Sequence, residues 1–221
     1  LKVSRALIDK DAIYSAEGNS AITSSNLTIG VIQPYQGKYG ISKNPESFAV
    51  YGYNKYFSDR NNNVIMRLSK SGLDEISRFG MVDYFRDQLN NNRLGKIIGG
   101  WDIHNDQYVV NLQDDKGGKG ENLSFDESVK GWTSFFDYNP DQMFSIRNNF
   151  YSITNESLYR HYSTSVNRGN FYGVDYRSSV TFILNAESPV SSKNFKTIGY
   201  EGSSGWQLST LVSDGTGDGL S

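Results

Sequence analysis

FDESVKGWTSFFDYNPDQMFSIRNNFYSITNESLYRHY, residues 125–162, carries its aromatic rings at strand spacing and not at helical spacing. Trp132, Phe135, Phe136, Tyr138, Phe144, Phe150, Tyr151, Tyr159 and Tyr162 all fall within it. Successive side chains of a strand point to opposite faces. Unbroken alternation therefore predicts Trp132 and Phe136 on one face and Phe135 on the other. A strand of that kind buries large side chains on both sides, which suits a sheet held between neighbouring layers.

The rest of the chain has the same character. Aromatic residues make up 14% of the 221, with 15 Tyr and 12 Phe, while Gly is frequent and only 4 residues are Pro. Aromatic and β-branched side chains favour pleated surfaces, and Gly and Asn supply the positive-φ positions of hairpin turns. The fold class expected is all-β, built of short antiparallel hairpins in a propeller-like or sandwich-like arrangement. Strands are expected at 27–33, 48–53, 54–58, 64–68, 108–113, 123–125, 150–153, 158–162, 171–176, 179–184 and 195–200. One stretch departs from this pattern: in FGMVDYFRDQLN, residues 79–90, Val82, Phe85 and Leu89 recur at helical spacing and Asn90 to Asn92 end the run. It predicts one short amphipathic helix near residues 77–90.

Two hairpins look alike. NKYFSDRNNNVIMR (54–67) and NNFYSITNESLYR (148–160) each run from Asn through two aromatics and Ser to an Asn-containing tip, then to an apolar strand ending in Arg. Recurrence of this kind points to repeated small antiparallel sheets, as in a propeller or similar radial array. A candidate unit boundary lies near 90–100, NNNRLGKIIGG. The chain starts at Leu1 without a methionine and is read as residues 1–221 of a larger β-rich polypeptide.

Several function classes are disfavoured. With no cysteine there is neither a disulfide framework nor a thiolate metal site. Net charge is −2 from 22 basic and 24 acidic residues mixed along the chain, so no run of like charge offers a face that tracks phosphates. No apolar run approaches the roughly 20 residues of a membrane-spanning helix.

The search for chemistry returns no coherent set. His104 and His161 have no second His or Cys at ligand spacing and are read as structural or surface residues. Gly202-Ser203-Ser204-Gly205-Trp206 lacks the Gly-x-Ser-x-Gly spacing of a nucleophile turn and is read as a loop with a Trp anchor. Asp102, Asp106, Asp114, Asp115, Asp126, Glu127, Asp137 and Asp141 offer carboxylates for a glycosidase pair, but each lies beside turn-forming residues and is read as a solvated turn carboxylate. Asp214 to Asp218 alternate oxygen donors as a calcium loop does, without the bidentate Glu that completes one, and are read as a terminal segment. No catalytic, cofactor-binding or metal-binding residue is assigned, and the chain is expected not to be an enzyme.

GKYGISKNPESFAVYGYNKYFSDRNNNVIMRLSKSGLDEISRFGMVDYFRDQL (37–89), WDIHNDQYVV (101–110) and 125–161 together resemble the large virion structural proteins of tailed bacteriophages. The pattern is similar to the tail muzzle proteins of crAss-like phages and their relatives in marine podoviruses. NPESF, the hairpin ending in Arg67-Leu68-Ser69, the G-M-x-D-x-F-R-D helix and G-W-x-S-F carry the resemblance, which covers roughly residues 1–205. It implies a virion tail location and a mechanical, connective role at the muzzle or nozzle, in a homo-oligomeric ring around the DNA exit path. The implied partners are other virion proteins and the rest of the same polypeptide, with passive contact to exiting DNA and no sequence-specific binding. The competing expectation is a carbohydrate-binding or glycan-degrading tailspike-type module. Trp101, Trp132 and Trp206 gathered in an open groove beside paired carboxylates would favour it, whereas rings buried between strands favour the structural reading.

Overall fold

A computed structural model of the chain describes residues 2–6, 29–115, 120–182 and 196–212. Its strands in chain order are β1 Ser4–Ala6, β2 Ile32–Pro34, β3 Ala49–Tyr51, β4 Asn54–Asp59, β5 Val64–Ser69 and β6 Gly72–Glu75. The helix α1, Val82–Asn91, follows. Then come β7 Ile97–Asp102, β8 Gln107–Gln113, β9 Gly120–Asp126, β10 Gly131–Phe136, β11 Gln142–Ile146, β12 Asn149–Thr154 and β13 Ser157–Arg160. The hairpin of β14 Asn170–Phe171 and β15 Val174–Asp175 is the last regular element among the described residues. Contacts divide the chain into two units, one ending at Ser178 and one starting at Ser179.

Every pairing is antiparallel and every larger sheet is a meander of consecutive strands: β3 to β6, β7 to β10, and β11 to β13. The all-β expectation holds, and no closed barrel forms among the described residues. The two look-alike hairpins occupy equivalent places, β4–β5 and β12–β13, each the second and third strands of its sheet. Their loops differ in length. Asn155 and Glu156 form a tight two-residue turn with both φ positive, whereas residues 60–63 make a four-residue turn that ends with positive φ at Asn63.

That four-residue turn recurs. Residues 60–63, 103–106 and 127–130 each follow a strand-ending Asp and close on a residue with positive φ, namely Asn63, Asp106 and Lys130. In each, the Asp carboxylate accepts the backbone N–H two residues on: Asn61 at 3.0 Å from Asp59, His104 at 2.9 Å from Asp102 and Ser128 at 2.7 Å from Asp126. A carboxylate that folds back on its own turn removes an unpaired donor and fixes the hairpin register.

Alternation within the strands feeds successive cores. Tyr56 and Ile65 of the first sheet face Trp101, Tyr108, Val110, Leu112, Leu123 and Phe125 of the second, and Phe85 and Leu89 of α1 close that core. The opposite face of the second sheet, Ile98 and Val109, meets Met143 and Phe150 of the third. Phe57, Val64 and Met66 on the far side of the first sheet are covered by Val3, Tyr39 and Ile41. Both four-stranded sheets are thus buried on two sides, as the ring-rich sequence requires.

Several expectations need correction. The Trp132/Phe136 pairing of faces fails because a bulge lies between Trp132 and Ser134: Trp132 pairs with Phe125, Phe135 with Leu123 and Phe136 with Asn122. The extra residue flips the alternation. Trp132 and Phe135 therefore face α1, and Phe136 faces Tyr138 and Phe171. Val82 sits in the first helical turn and is half exposed, so Phe85 and Leu89 alone bury the stripe. In 171–176 two short strands turn at Tyr172 and Gly173 where one strand was expected. Residues 179–182 and 196–200 are not strands, and the remainder of those two predicted strands lies outside the described residues. Residues 90–100 run from the end of α1 into β7, between two sheets that share one core.

The packing of β7 is set by two glycines. A Cβ on Gly99 would lie 2.1 Å from the Ser47 carbonyl oxygen and 2.7 Å from the Tyr108 hydroxyl; one on Gly100 would lie 2.7 Å from Met143 Cβ. Gly99→Ala should therefore lower stability by at least about 1–3 kcal/mol through overpacking, seen as a reduced urea midpoint. Gly199→Ala, whose Cβ meets nothing within 4 Å, serves as the unshifted control.

Candidate functional site

The site is assembled from the first strand of each of three meanders. β7 packs against β3 on one side and β11 on the other. A cleft of about 420 Å³ opens along these strands, floored by Gly99, Gly100 and Trp101 and walled by Phe48, Tyr51, Phe144 and Arg147. The approach is close because the turn Pro45–Ser47 docks on Gly99. Tyr108 donates its hydroxyl hydrogen to Ser47 O at 2.7 Å, and Ser47 Oγ accepts the Ser58 N–H at 3.0 Å. On the other side, the Ser145 hydroxyl donates to Trp101 O.

A column of rings rises from the interior into this cleft. Tyr108 stacks on Tyr56 at 4.8 Å, Tyr56 on Trp101 at 5.4 Å, and Trp101 on Tyr51 at 4.4 Å between centroids. Trp101 is 6% exposed, and its outer face is covered by Tyr51, which is itself half exposed. Trp132 is half-buried against Phe85 and Phe125 and donates its indole N–H to Ile76 O at 3.1 Å. Both rings thus serve one core. Trp206, in the second unit, is 54% exposed.

The carboxylates are structural partners more than solvated ones. Asp102 is fully buried; it accepts the Tyr162 hydroxyl, the Asn105 amide at 3.1 Å and the His104 N–H. Glu127 accepts from the Tyr56 hydroxyl at 2.5 Å and from Arg67, whose other nitrogen bonds Asp74 at 2.8 Å. This cluster ties the first sheet to the β9–β10 turn. It also uses a charge pattern in which one guanidinium serves two carboxylates. Burial, then the bond to Glu127, pushes the Tyr56 hydroxyl well above the ordinary tyrosine range. Asp115 accepts the Leu94 and Gly95 N–H groups, and Asp141 accepts that of Asn155 at 3.0 Å. Asp126 is held below the usual carboxylate range, chiefly by the Ser128 hydroxyl. Asp106 and Asp137 are exposed, and Asp114 is half-buried and engaged.

The histidines part company. His104 is exposed, its ring stacked on Tyr162 at 4.3 Å. His161 is enclosed by Tyr138 and Phe150, with Nε2 at 2.7 Å from Ser152 Oγ. Among the described residues no group of three or more His, Asp or Glu is placed to hold a metal ion. Gly202 to Trp206 lie in no helix or strand, and Asp214 to Asp218 lie outside the described residues. Sequence reasoning missed Asp59, Arg67 and Ser47 as organising residues. The repeated strand-end Asp followed by a polar turn was the available signal for Asp59.

The motifs that carried the family resemblance meet in space. NPESF is the turn that docks on Gly99, and Phe85 of G-M-x-D-x-F-R-D packs on Trp132 of G-W-x-S-F at 4.6 Å. Residues 36–156 match the Crassvirus muzzle protein family, and residues 166–215 match the Crassvirus muzzle protein C-terminal domain. The chain belongs to the Crassvirus muzzle protein family. It is a structural component of a phage tail, and the family places it in the virion. No curated protein matches it. In this muzzle family member the first match spans the two four-stranded sheets, α1 and most of the third sheet. The second begins just before the β14–β15 hairpin. No helix among the described residues is long and apolar enough to cross a membrane.

Trp132→Ala should cost on the order of 3 kcal/mol, from lost packing and an orphaned carbonyl, and lower the melting temperature. Trp206→Ala should leave it nearly unchanged. Acid sensitivity is expected at His161, whose pKa burial lowers from 6.5 to about 4. The unfolded chain then takes up the proton first as pH falls. This contribution is constant above about pH 6.5, declines by up to about 3 kcal/mol between 6.5 and 4, and levels below. Unfolding titrations compared with His161→Asn, which lacks that slope, measure it.

Proposed function

We propose that the chain forms part of the wall of a homo-oligomeric ring around the DNA exit path of a podovirus-type tail, as one portion of a larger β-rich polypeptide. Its work is mechanical and non-enzymatic. The observation that carries the reading is the family match together with three consecutive meanders whose first strands lie side by side. Successive blades of a radial, propeller-like array would bring their first strands together in this way, which supports the reading.

The chemistry of the described residues supports a mechanical part. Of the carboxylates weighed as a glycosidase pair, Asp102 and Asp126 are engaged by their own turns and Glu127 by the Arg67 cluster. Net charge is −2 with basic and acidic residues interspersed, so a surface facing DNA would release phosphates instead of gripping them. Trp101 is stacked between Tyr51 and Tyr56 and presents no free face to a sugar ring, and Trp132 packs half-buried against Phe85 and Phe125.

Electron cryomicroscopy of the intact virion tests the assignment. Density for this chain is expected in several copies around the tail axis at its distal end, and density confined to peripheral fibres would refute it. Incubated with host capsular or cell-wall glycans, the chain should release no reducing ends. Release abolished by replacing a single Asp or Glu would reverse the non-enzymatic reading.

A further inference from the structure

Each of the two units carries an exposed apolar surface, one at a sheet edge and one in a segment outside the sheets. The first is the β3 side of the cleft. β3 is an unpaired edge, and Phe48, Val50, Tyr51 and the following Tyr53 are 48%, 50%, 43% and 69% exposed. Sheet edges are ordinarily blunted by Lys, Pro or a bulge. Ala49-Val50-Tyr51 is short but carries none of these. The one charged side chain lining the cleft is Arg147, and no ion pair engages it among the described residues.

The second surface is KTIGYEGSSGWQLSTLV, residues 196–212. It contains no helix or strand, yet Ile198, Tyr200, Trp206 and Leu208 recur at strand parity and are 54–70% exposed. Ile198 and Tyr200 alternate before the bend at 202–204, where Gly205 takes a φ of +111°, and Trp206 and Leu208 alternate after it, so the stretch holds two short pairs at strand parity with no sheet partner among the described residues. Glu201 is the only acidic residue of this stretch.

We propose that residues 196–212 form an assembly arm that pairs with the β3 edge of a second copy, laying its apolar parity into the cleft and setting Glu201 against Arg147. The cleft is lined by a single charge, Arg147, and the arm carries Lys196 at its start and Glu201 as its one acid, so the complementarity that selects this partner is the pairing of Glu201 with Arg147 amid apolar surface. Each copy carries both halves of the contact, so the interface is heterologous and propagates head to tail until a ring closes. Strand addition supplies the backbone hydrogen bonds, and the Trp206 ring supplies an anchor. The proposal deepens the ring reading and rests on it.

The cysteine-free chain makes a direct test possible. Sedimentation of the full 221-residue chain should show concentration-dependent association, weakened at least tenfold by Arg147→Glu or by Glu201→Arg and recovered in the double variant. Chains carrying Val50→Cys should form disulfide-linked dimers when mixed with Leu208→Cys chains. Leu158→Cys on β13, 61% exposed, should not substitute for Val50→Cys. A chain monomeric at every concentration, or a Val50→Cys/Leu208→Cys variant that bridges only within itself, overturns the proposal. So does association indifferent to both charge reversals, an outcome that would leave a ring built through another face intact. Virion imaging decides the ring reading independently.

Discussion

The closeness of β7 to its neighbours on both sides is the constraint on which the rest depends. Two successive residues of one strand have no room for a β-carbon: Gly99 lies under the Ser47 carbonyl and Gly100 under Met143. Glycine in a strand ordinarily weakens it, through backbone entropy and absent side-chain packing. Here the loss is offset by what the close approach permits. Tyr108 reaches Ser47 across the first interface, and Ser145 reaches Trp101 O across the second. Three sheets are thereby held at one axis of contact, and the aromatic column from Tyr108 to Tyr51 can stack without a gap.

With the inner strands fixed, the outer ones are held by polar devices. Arg67 joins Asp74 and Glu127, so the far end of the first sheet is tied to the β9–β10 turn. Asp102 ties the β7–β8 turn to Tyr162, beyond β13. These are buried or half-buried groups with their partners in place, the condition under which burying charge and hydroxyl is tolerated. The interior also holds Asn122, Ser124 and Ser152, whose side chains bond Tyr138 O, Thr133 and His161 with Tyr172, so a slip of these strands would strand a donor or acceptor.

The same arrangement explains why the cleft is open. In a meander the first strand pairs on one side only, and bringing three first strands together concentrates unpaired edges in one place. A protein built to stand alone would blunt such edges. A member of a virion structural family has neighbours to cover them, and the exposed apolar residues of β3 and of 196–212 are surfaces of the kind assembly consumes.

Much of the fold was legible in the amino-acid order. Aromatic alternation, Asn-rich turns and the spacing of Phe85 and Leu89 depend on local geometry, and they determined an all-β chain with one helix. The family motifs NPESF and G-W-x-S-F were equally legible as strings. What they do was not: the first is a docking turn and the second a wall for the helix, roles fixed by residues far away in sequence. The role of Gly99 and Gly100 was not legible either, since nothing in NNNRLGKIIGG shows the backbones that press on them. The bulge after Trp132 was hidden for a related reason, since one unpaired residue changes no composition and only the register with β9 reveals it. The carboxylates were read as solvated because burial is a property of packed layers: Asp102 and Asp106 stand four positions apart on the same turn, and tertiary structure alone decides that one is buried and the other faces water.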